Sequence, residues 1–520
     1  MAIKKRFAGY PSAIAYESPD GKKAVQHLLW GSYVGLEGEK QGTYDGVKDV
    51  HGEKHSGQYE KVRIRGRKEP CWIREHEIQS ERCLEVIFVD IGQGDGCLMV
   101  TPKDKHMVID AGEGDNMYRF LRWRYGRFEK RFPFEAGIIS HPDSDHYHGF
   151  DHLFGDEHVY FETLYHNGII ERAGKDTLGP KEPSTGRGDK FLTELILSKQ
   201  QLSKFLKHTS NWQTKTKSGR ISSKQYPSML KKGLDGDKFG EFRMLSIQDG
   251  YMPGYGPGKE LSIQVLGPVV EPPDADPPRL RWIENNGKTK NGHSVVLRVQ
   301  YRDVSLLLGG DLNIPSENLL LSHHTGLAAP PESVEDEDVL VAAARKVFQV
   351  DIAKSCHHGS SDFSSVYLKA TNPIATVISS GDEEPHSHPR SDALGTIGLL
   401  SRGPRPLIFS TELARSAPDV IKHPYALRRE HEAKVKALSE APSGTPKEQK
   451  AKEKLRQELV AMGDKLNRSV AIYGAISLVT DGRKVVIAQK LERPRGSSKK
   501  WDIYRLEAEG KGPLRYQSKH

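Results

Sequence analysis

The segment Ser140-His141-Pro142-Asp143-Ser144-Asp145-His146 follows directly on the apolar run Ala136-Gly137-Ile138-Ile139. Such a run is typical of a buried strand, so the polar segment stands where that strand ends. Alternate residues of an extended chain share a face, so His141, Asp143 and Asp145 can point the same way. A turn then lets the last histidine join them. Four such groups repel one another or remain unsatisfied without a cation, so the segment predicts half of a two-metal site rather than a polar loop.

The composition bounds the class of protein without deciding its function. A length of 520 residues suggests about two to four domains, and the net charge of +8 permits nucleic-acid binding without demanding it. No apolar run reaches about 18 residues, and no signal-peptide core follows the basic N-terminus, so we expect a cytoplasmic protein without a membrane partner. The four scattered cysteines contain no C-x-x-C pair and favour reduced thiols over a disulfide framework.

The first part of the chain, residues 1–80, predicts a small all-β barrel. Short strands are expected at 25–31, 59–65 and 71–73, separated by turns rich in glycine and aspartate. Their order resembles a bacterial SH3-like domain, although Pro70-Cys71 stands where such domains usually have a glycine. The resemblance implies a unit that docks a protein partner or acts as a spacer, without catalysis.

The pattern changes to α/β from residue 81 onward. Buried strands and amphipathic helices alternate through 81–425, with helical spacing over 116–131 and 189–207. Residues 426–466 are mostly charged or small and predict a helical insertion, either a solvated helix pair or a nucleic-acid arm. Residues 467–520 predict a hairpin with its turn at Asp481-Gly482, completing the same domain. Strands of the α/β part are expected at 83–89, 98–100, 106–109, 136–140, 294–300, 305–308, 351–355 and 375–379.

Further polar residues recur at strand ends along this α/β part. Rigid strands with open loops are where such proteins build sites, so several polar strand ends in one chain form a stronger signal than any one of them. The segments are Val108-Ile109-Asp110-Ala111-Gly112, Asn291-Gly292-His293-Ser294, Leu308-Gly309-Gly310-Asp311, Ser355-Cys356-His357-His358-Gly359-Ser360 and His386-Ser387-His388-Pro389.

The order of these segments resembles the metallo-β-lactamase superfamily. The nearest subgroup is the hydrolase domain of the competence DNA-uptake channel protein, whose signature resembles residues 89–96, Val-Asp-Ile-Gly-Gln-Gly-Asp-Gly, together with the segments above. The resemblance covers about 85–425 and implies a four-layer αβ/βα sandwich. Because the membrane part of the channel is absent, it implies a stand-alone hydrolase.

Carried over residue by residue, the resemblance implies two divalent metal ions. One ion would be held by His141, Asp143 and His293, the other by Asp145, His146 and His357, with Asp311 bridging both. Most of the superfamily has a histidine where Asp143 stands, and the subgroup often lacks a histidine at the position of His293. His358 is the alternative to His357, or a supporting residue. We expect Asp110 and Asp95 to support ligands rather than to bind metal.

The ligand types and the chemistry follow from this set. Imidazoles suit Zn²⁺ and carboxylates favour Mn²⁺, so both metals remain candidates. Two cations roughly 3.5–4 Å apart activate a hydroxide and stabilise charge on a phosphoryl oxygen. Asp145 and Asp311 would serve this reaction, and His388 is a candidate proton donor to the leaving oxygen or, equally, a histidine satisfied by backbone.

The substrate is the open part of the prediction. Arg119 and Arg122, interleaved with aromatic residues, and the basic stretch with Lys215 and Lys217 are candidate DNA contacts, although the first set also suits a solvated amphipathic helix. We expect a metal-dependent phosphodiesterase, most simply a nuclease acting on DNA. The alternatives are a hydrolase of a cyclic or modified nucleotide, a phosphomonoester, a lactone or a thioester, and a partner-binding regulatory module with secondary hydrolysis.

Overall fold

The structure is a computed structural model of the chain. Strands and helices below are numbered in chain order. The structure describes residues 4–92, 94–126, 128, 130–183, 188–215, 218, 220–381, 386–412, 424–467, 470–510 and 512–518.

The N-terminal residues form one seven-stranded antiparallel sheet in the order β3-β2-β6-β5-β4-β1-β7. The three strands expected from the sequence are β3, β5 and β6, and the sheet contains four more. The long strand β4 was missed because its glycines and exposed polar residues give little hydrophobic alternation. The strands are β1 Lys4–Ala8, β2 Ser12–Tyr16, β3 Ala24–Leu29, β4 Tyr33–Lys48, β5 Lys54–Ile64, β6 Cys71–Arg74 and β7 Ile78–Gln79.

A ten-stranded mixed sheet follows, in the order β17-β12-β11-β10-β9-β8-β25-β26-β27-β28. Strands β10, β11, β12 and β17 run parallel, so their carboxyl ends lie at the same edge. The N-terminal sheet packs against the C-terminal hairpin of this sheet through Trp30 and Val486. The strands are β8 Leu84–Phe88, β9 Gly96–Val100, β10 His106–Ala111, β11 Phe132–Ile138, β12 Val159–His166, β17 Phe239–Met244, β25 Ile476–Thr480, β26 Val485–Lys490, β27 Trp501–Ala508 and β28 Leu514–Gln517.

A six-stranded sheet has the order β18-β20-β21-β22-β23-β24, and its last four strands are parallel. Two smaller sheets lie in the insertions between the large ones. The six strands are β18 Leu261–Gly267, β20 Val296–Tyr301, β21 Val304–Leu308, β22 Ile352–Lys354, β23 Ala375–Ile378 and β24 Leu407–Ser410. The smaller sheets contain β13 Lys181–Pro183, β14 Lys190–Leu192 and β19 Leu280–Arg281, and β15 Gln213–Lys215 and β16 Ile221–Ser223.

The described helices lie between these strands along the chain. They are α1 Asn116–Tyr125, α2 Ser144–Tyr147, α3 Gly149–Phe154, α4 Lys199–Lys207, α5 Gln225–Asp235, α6 Asn286–Gly292, α7 Ile314–Thr325, α8 Val334–Phe348, α9 Ser365–Thr371, α10 Ser391–Leu400, α11 Pro424–Glu440, α12 Pro446–Asn467 and α13 Val470–Tyr473. Within the described part of the chain, none of them combines the length and the apolar character needed to cross a membrane.

The two large sheets face each other across the main core. That core joins side chains such as Val86 and Ile109 of the ten-stranded sheet with Ile263 and Leu306 of the six-stranded sheet. Each outer face is covered by helices. On the ten-stranded sheet α1, α3, α4 and α5 contribute to one apolar cluster, and on the six-stranded sheet α7, α8 and α9 contribute to another. Loops at the edge where the parallel strands end are therefore held between two rigid layers.

Two helix predictions need correction. The helix expected over 116–131 ends at Tyr125, because Gly126 adopts a φ of 77° that breaks the helix. The helix expected over 189–207 begins only at Lys199, where the Ser198 side chain accepts a hydrogen bond from the Gln201 amide. The residues before it include strand β14.

Residues 426–466 contain the helix pair α11 and α12. Lys434 in α11 donates to Glu458 in α12 at 2.6 Å. The side chains that the structure describes in these two helices are mostly exposed.

Candidate metal centre

The predicted ligands lie where parallel strands of both large sheets end. Ser140 and His141 follow β11, and Asp110 lies near the end of the neighbouring strand β10. On the other sheet, Asp311 follows β21 and His358 follows β22. Because carboxyl ends of parallel strands meet at one edge, residues far apart in sequence come together between the sheets.

Asp311 is the point on which three histidines converge. Its Oδ2 atom lies 3.1 Å from Nε2 of His358, 3.2 Å from Nε2 of His146 and 4.0 Å from Nε2 of His141. Asp145 joins them, with its Oδ2 atom 3.5 Å from Nε2 of His358. Ligand atoms of Asp145, His146, Asp311 and His358 all lie within 4.8 Å of one another. The cluster therefore has the donor types and the compactness that a divalent ion requires.

Asp143 extends the cluster on the side of His141. Its Oδ2 atom lies 3.6 Å from Nε2 of His141, and the Asn291 amide, turned with its nitrogen toward Asp143, donates to that oxygen at 2.7 Å. The other oxygen of Asp143 forms an ion pair with Lys290. His141 and Asp143 therefore border the group around Asp311.

The Nδ1 atoms of His146, His141 and His358 each lie close to a polar group of the protein. His146 Nδ1 lies 2.9 Å from Asp110 Oδ2, and His141 Nδ1 lies 3.0 Å from the Ser140 hydroxyl. That hydroxyl in turn lies 2.7 Å from Asp110 Oδ2, so one carboxylate orients both rings. His358 Nδ1 lies 3.1 Å from the carbonyl of Ser379. Acceptors at Nδ1 place the proton there and leave the Nε2 lone pairs facing the cluster.

Asp110 reaches His146 because strand β10 is irregular at this residue. The register of β10 on β9 shifts between Ile109 and Ala111, and Asp110 has a φ of 52°. A bulge with a left-handed residue turns a side chain that would otherwise alternate with its neighbours. The other Asp110 oxygen accepts from the Ser140 amide at 2.7 Å. This bond fixes the start of the segment 140–146, which we call the ligand loop.

The inner atoms of the cluster have no hydrogen-bond partner among the described residues. These atoms are Nε2 of His141, His146 and His358 and Oδ1 of Asp311. The distances to Asp311 Oδ2 are short, but the rings do not direct an N–H at it with hydrogen-bond geometry. Buried imidazoles that converge without bonding one another fit a shared cation. The residues present therefore fit a divalent metal.

The pKa shifts reflect the same concentration of charge. Burial disfavours the charged forms, yet Asp311, Asp110 and Asp145 hold the pKa of His146 well above its usual value. Against the same effect of burial, Asp311 and Asp95 raise the pKa of His358. The two histidines hold the pKa of Asp311 well below its usual range despite its burial. Positive charge at this position is strongly favoured.

Sequence reasoning missed Lys354, which lies beside the cluster at the end of β22. Lys354 is buried, it forms an ion pair with Asp95, and its Nζ donates to the Gly310 carbonyl at 3.1 Å. The same Nζ lies 3.8 Å from Asp311 Oδ1. Burial opposes its charge, but Asp95 and Asp311 raise the pKa of Lys354. A lysine within the buried strand 352–354 was the available signal, since lysine is rarely buried without a partner.

Asp95 also reaches His358, with 3.3 Å between its Oδ1 atom and Nδ1 of that ring. The loop that contains Asp95 contacts the ligand loop, because the Asp95 amide donates to the Asp145 carbonyl at 3.2 Å. At Gly94, φ is 100° and a Cβ atom would lie 1.8 Å from that carbonyl. Only glycine fits there. Gln93 lies outside the described residues.

The structure reverses the expected positions of His357 and His358. Nε2 of His357 lies 3.5 Å from the Asn291 amide, and no described carboxylate lies within 4.0 Å of its ring nitrogens. Both histidines have left-handed φ values, 47° and 53°, in the turn Cys356–Gly359. Two successive residues of this kind rotate the chain so that His358, not His357, faces Asp311.

His293 does not join the cluster either. It caps the end of α6, and its Nε2 atom lies 2.6 Å from the Arg281 carbonyl. Burial lowers the pKa of His293 to about 4, as expected for a neutral ring on a backbone acceptor. The next residue, Ser294, supports the site instead, since its hydroxyl accepts from the Asp311 amide at 3.0 Å and lies 3.3 Å from His141 Nδ1.

The remaining candidates lie at or beyond the rim. The His388 ring centroid lies 6.3 Å from that of His358, so His388 is beside the cluster. Arg119 lies 3.8 Å from Asp115, and Arg122 lies over the Tyr118 ring at 5.5 Å, so both are engaged on their own helix. Lys215 is exposed on β15, and Lys217 lies outside the described residues.

No family model and no curated protein matches this chain. Among solved structures it is similar to Tm1679, a metal-dependent hydrolase of the beta-lactamase superfamily, at 13% identity over 63% of this chain and 95% of that chain, with a TM-score of 0.30. It is also similar to MEM-A1, a subclass B3 metallo-beta-lactamase isolated from a soil metagenome library, at 14% identity over 52% and 79%, with a TM-score of 0.24. Similarity at these TM-scores carries no argument, so the site is interpreted from its own side chains.

Proposed function

We propose that this chain is a metal-dependent hydrolase with a metallo-β-lactamase type of sandwich, and that it cleaves phosphodiester bonds in DNA. The observation that carries the hydrolase proposal is the convergence of three buried histidine Nε2 atoms on Asp311 without a hydrogen bond among them. A purely structural cluster of this kind would leave buried polar atoms unsatisfied at a cost of about 1–3 kcal/mol each.

In this proposal each divalent ion, Zn²⁺ or Mn²⁺, has its own half-site. Asp145, His146 and His358 hold one ion, His141 and Asp143 hold the other, and Asp311 belongs to both. Bound ions of this type supply an acidified water and neutralise charge on a phosphoryl group. The role expected of His357 passes to His358, and His293 is not a ligand.

The protein itself contributes orientation and charge. Asp110 and Ser140 fix two of the rings, and Lys354 offsets part of the negative charge around Asp311. His388 beside the cluster is the candidate that gives a proton to the leaving oxygen.

The choice of DNA is supported by charge and by the motif resemblance. A phosphodiester is anionic, and Lys290 and Lys354 both border the ligand cluster. The chain carries a net charge of +8. These features favour an anionic substrate over a neutral lactone or thioester.

The test is activity and metal content of the purified protein. Incubation with Mn²⁺ or Zn²⁺ against single- and double-stranded DNA, RNA, cyclic nucleotides, phosphomonoesters and model esters should give cleavage of DNA. His146→Ala should lose metal and hydrolysis together. His148→Ala is the matched control, because His148 lies in the same turn but directs Nδ1 to the Glu113 carbonyl at 2.7 Å.

Two outcomes would overturn parts of the proposal. Turnover of a small ester or a cyclic nucleotide without cleavage of DNA would show that the proposed substrate is wrong, but it would be consistent with the proposed metal centre. Full hydrolytic activity of the metal-free protein would refute the proposed metal centre.

A further inference from the structure

Arg65 and Lys490 lie beside Trp123 near the end of α1, Lys500 acts electrostatically on Lys490, and Arg67 acts on Lys500. We define the Trp123 basic cluster as Trp123, Arg65, Arg67, Lys490 and Lys500. It joins three parts of the chain: the N-terminal sheet, α1 and the C-terminal hairpin. We propose that this cluster binds a single-stranded stretch of DNA and holds it for the hydrolase, so the inference rests on the proposed function.

Two of the cations lie beside one exposed aromatic ring. Trp123 is 40% exposed. Lys490 Nζ lies 4.7 Å and Arg65 Cζ 5.8 Å from the Trp123 ring centroid. Lys490 Nζ also lies 5.5 Å from the ring of Tyr473. An exposed indole bordered by cations is the combination with which proteins bind bases and phosphates of a single strand.

These cations have no acidic partner among the described residues, unlike Arg63 and Arg124. Among the residues that the structure describes, no carboxylate oxygen lies within 4.0 Å of Arg65, Arg67, Lys490 or Lys500. Nearby Arg63 and Arg124 do have such partners, Glu37 and Glu85, each at 2.6 Å. The positive charge of this cluster is therefore not offset by a nearby described carboxylate.

The cations also act on one another. Burial and the neighbouring Lys500 and Arg65 lower the pKa of Lys490 to about 8. Burial and Arg124 lower the pKa of Arg65 to about 10. An anion bound between them would remove this repulsion, and two phosphates would remove more than one.

A basic loop next to the cluster adds further positive charge to this surface. The loop after β26 contains Arg493, Arg495 and Lys499 against one acid, Glu492. Arg493, Arg495 and Lys499 are exposed.

The position of α1 connects the cluster to the hydrolase. Asn116 in its first turn lies 3.3 Å from the Asp90 carbonyl, in the loop that leads to Asp95. A helix of this length spans about 15 Å. The first turn of α1 therefore lies beside the loop that leads to Asp95, and Trp123 lies near the other end of the helix.

The experiment measures binding without cleavage. The full chain in EDTA is titrated against a fluorescein-labelled thymidine 20-mer at several salt concentrations, with fluorescence anisotropy as the readout. The double variant Arg65→Gln, Lys490→Gln should weaken binding about tenfold or more and reduce the salt dependence by about one to two released counterions. Trp123→Ala should weaken binding without changing the salt dependence. Arg63→Gln is the matched control, and its affinity should stay within about twofold of the parent because Arg63 is paired.

Folding of each variant is checked by thermal unfolding, and Trp123→Phe, which keeps an aromatic ring, should retain most of the affinity. Hydrolysis of bis(4-nitrophenyl) phosphate with Mn²⁺ is measured in parallel. Equal affinity of the parent and the double variant for the oligonucleotide overturns the inference even if the parent hydrolyses the phosphodiester. If the parent binds the oligonucleotide but does not hydrolyse the phosphodiester, only the proposed function is overturned. Equally strong binding of poly-glutamate, unaffected by Trp123→Ala, would also overturn it, since the site would then recognise charge alone.

Discussion

Nε2 of His146 lies 3.2 Å from Oδ2 of Asp311, although His146 follows a strand of the ten-stranded sheet and Asp311 follows a strand of the six-stranded sheet. This contact joins the two sheets at the edge where their parallel strands end. Any ion held there links the layers, so the metal content and the stability of the fold should be coupled.

We expect removal of metal to destabilise the protein. A ligand present at 100 times its dissociation constant stabilises the folded state by about 2.7 kcal/mol. Treatment with a chelator should therefore lower the thermal unfolding midpoint by several degrees, and added Zn²⁺ or Mn²⁺ should restore it. In Asp311→Asn the midpoint should respond little to chelator, and an unchanged midpoint in the parent would contradict the coupling.

The pair His357 and His358 provides a sharp test of the ligand set. Only His358 faces Asp311, so His358→Ala should lose one of about two bound ions, measured by mass spectrometry of the metal content. His357→Ala should keep both. The reverse pattern would restore the assignment expected from the sequence resemblance.

Gly94 should tolerate no side chain. A Cβ atom there would lie 1.8 Å from the Asp145 carbonyl, so Gly94→Ala must displace the ligand loop. We expect a loss of about 2–4 kcal/mol in the free energy of unfolding together with reduced metal content. Gly114→Ala is the control, because a Cβ atom at Gly114 meets no heavy atom within 4 Å. Equal unfolding free energies for both variants would refute the argument.

Glu317 should make the stability fall as the pH rises. Burial raises the pKa of Glu317 to about 8, and Asp362 adds to the shift. Above a pH of about 4.5 the unfolded chain releases this proton while the folded chain keeps it, so stability declines until the pH passes about 8. Glu317→Gln removes this contribution, so the variant should match the parent near pH 5 and exceed it near pH 8.

The size of the Glu317 effect should be on the order of a few kcal/mol at pH 8, since each pKa unit corresponds to about 1.4 kcal/mol. Urea unfolding of both proteins between pH 5 and pH 8 measures it. Glu335→Gln on the exposed face of α8 serves as the control. Parallel profiles for the parent and Glu317→Gln would show that the carboxyl is ionised in the folded state.

Local patterns determined the elements that bear the site. Apolar runs indicated β11 and β21, and the polar residues after them, His141, Asp145, His146 and Asp311, come together as their order along the chain suggested. This part was accessible because strand ends are set by short stretches of sequence, and parallel strands necessarily end at a common edge.

Only the tertiary structure decided which way individual side chains face. His357 and His358 are adjacent and chemically identical, and two left-handed backbone residues determine that the second faces Asp311. His293 turns to the Arg281 carbonyl because it caps a short helix, and Lys354 enters the site because Asp95 arrives from the other sheet. Such choices depend on contacts between segments that are distant along the chain, and hydrophobic periodicity contains no information about them.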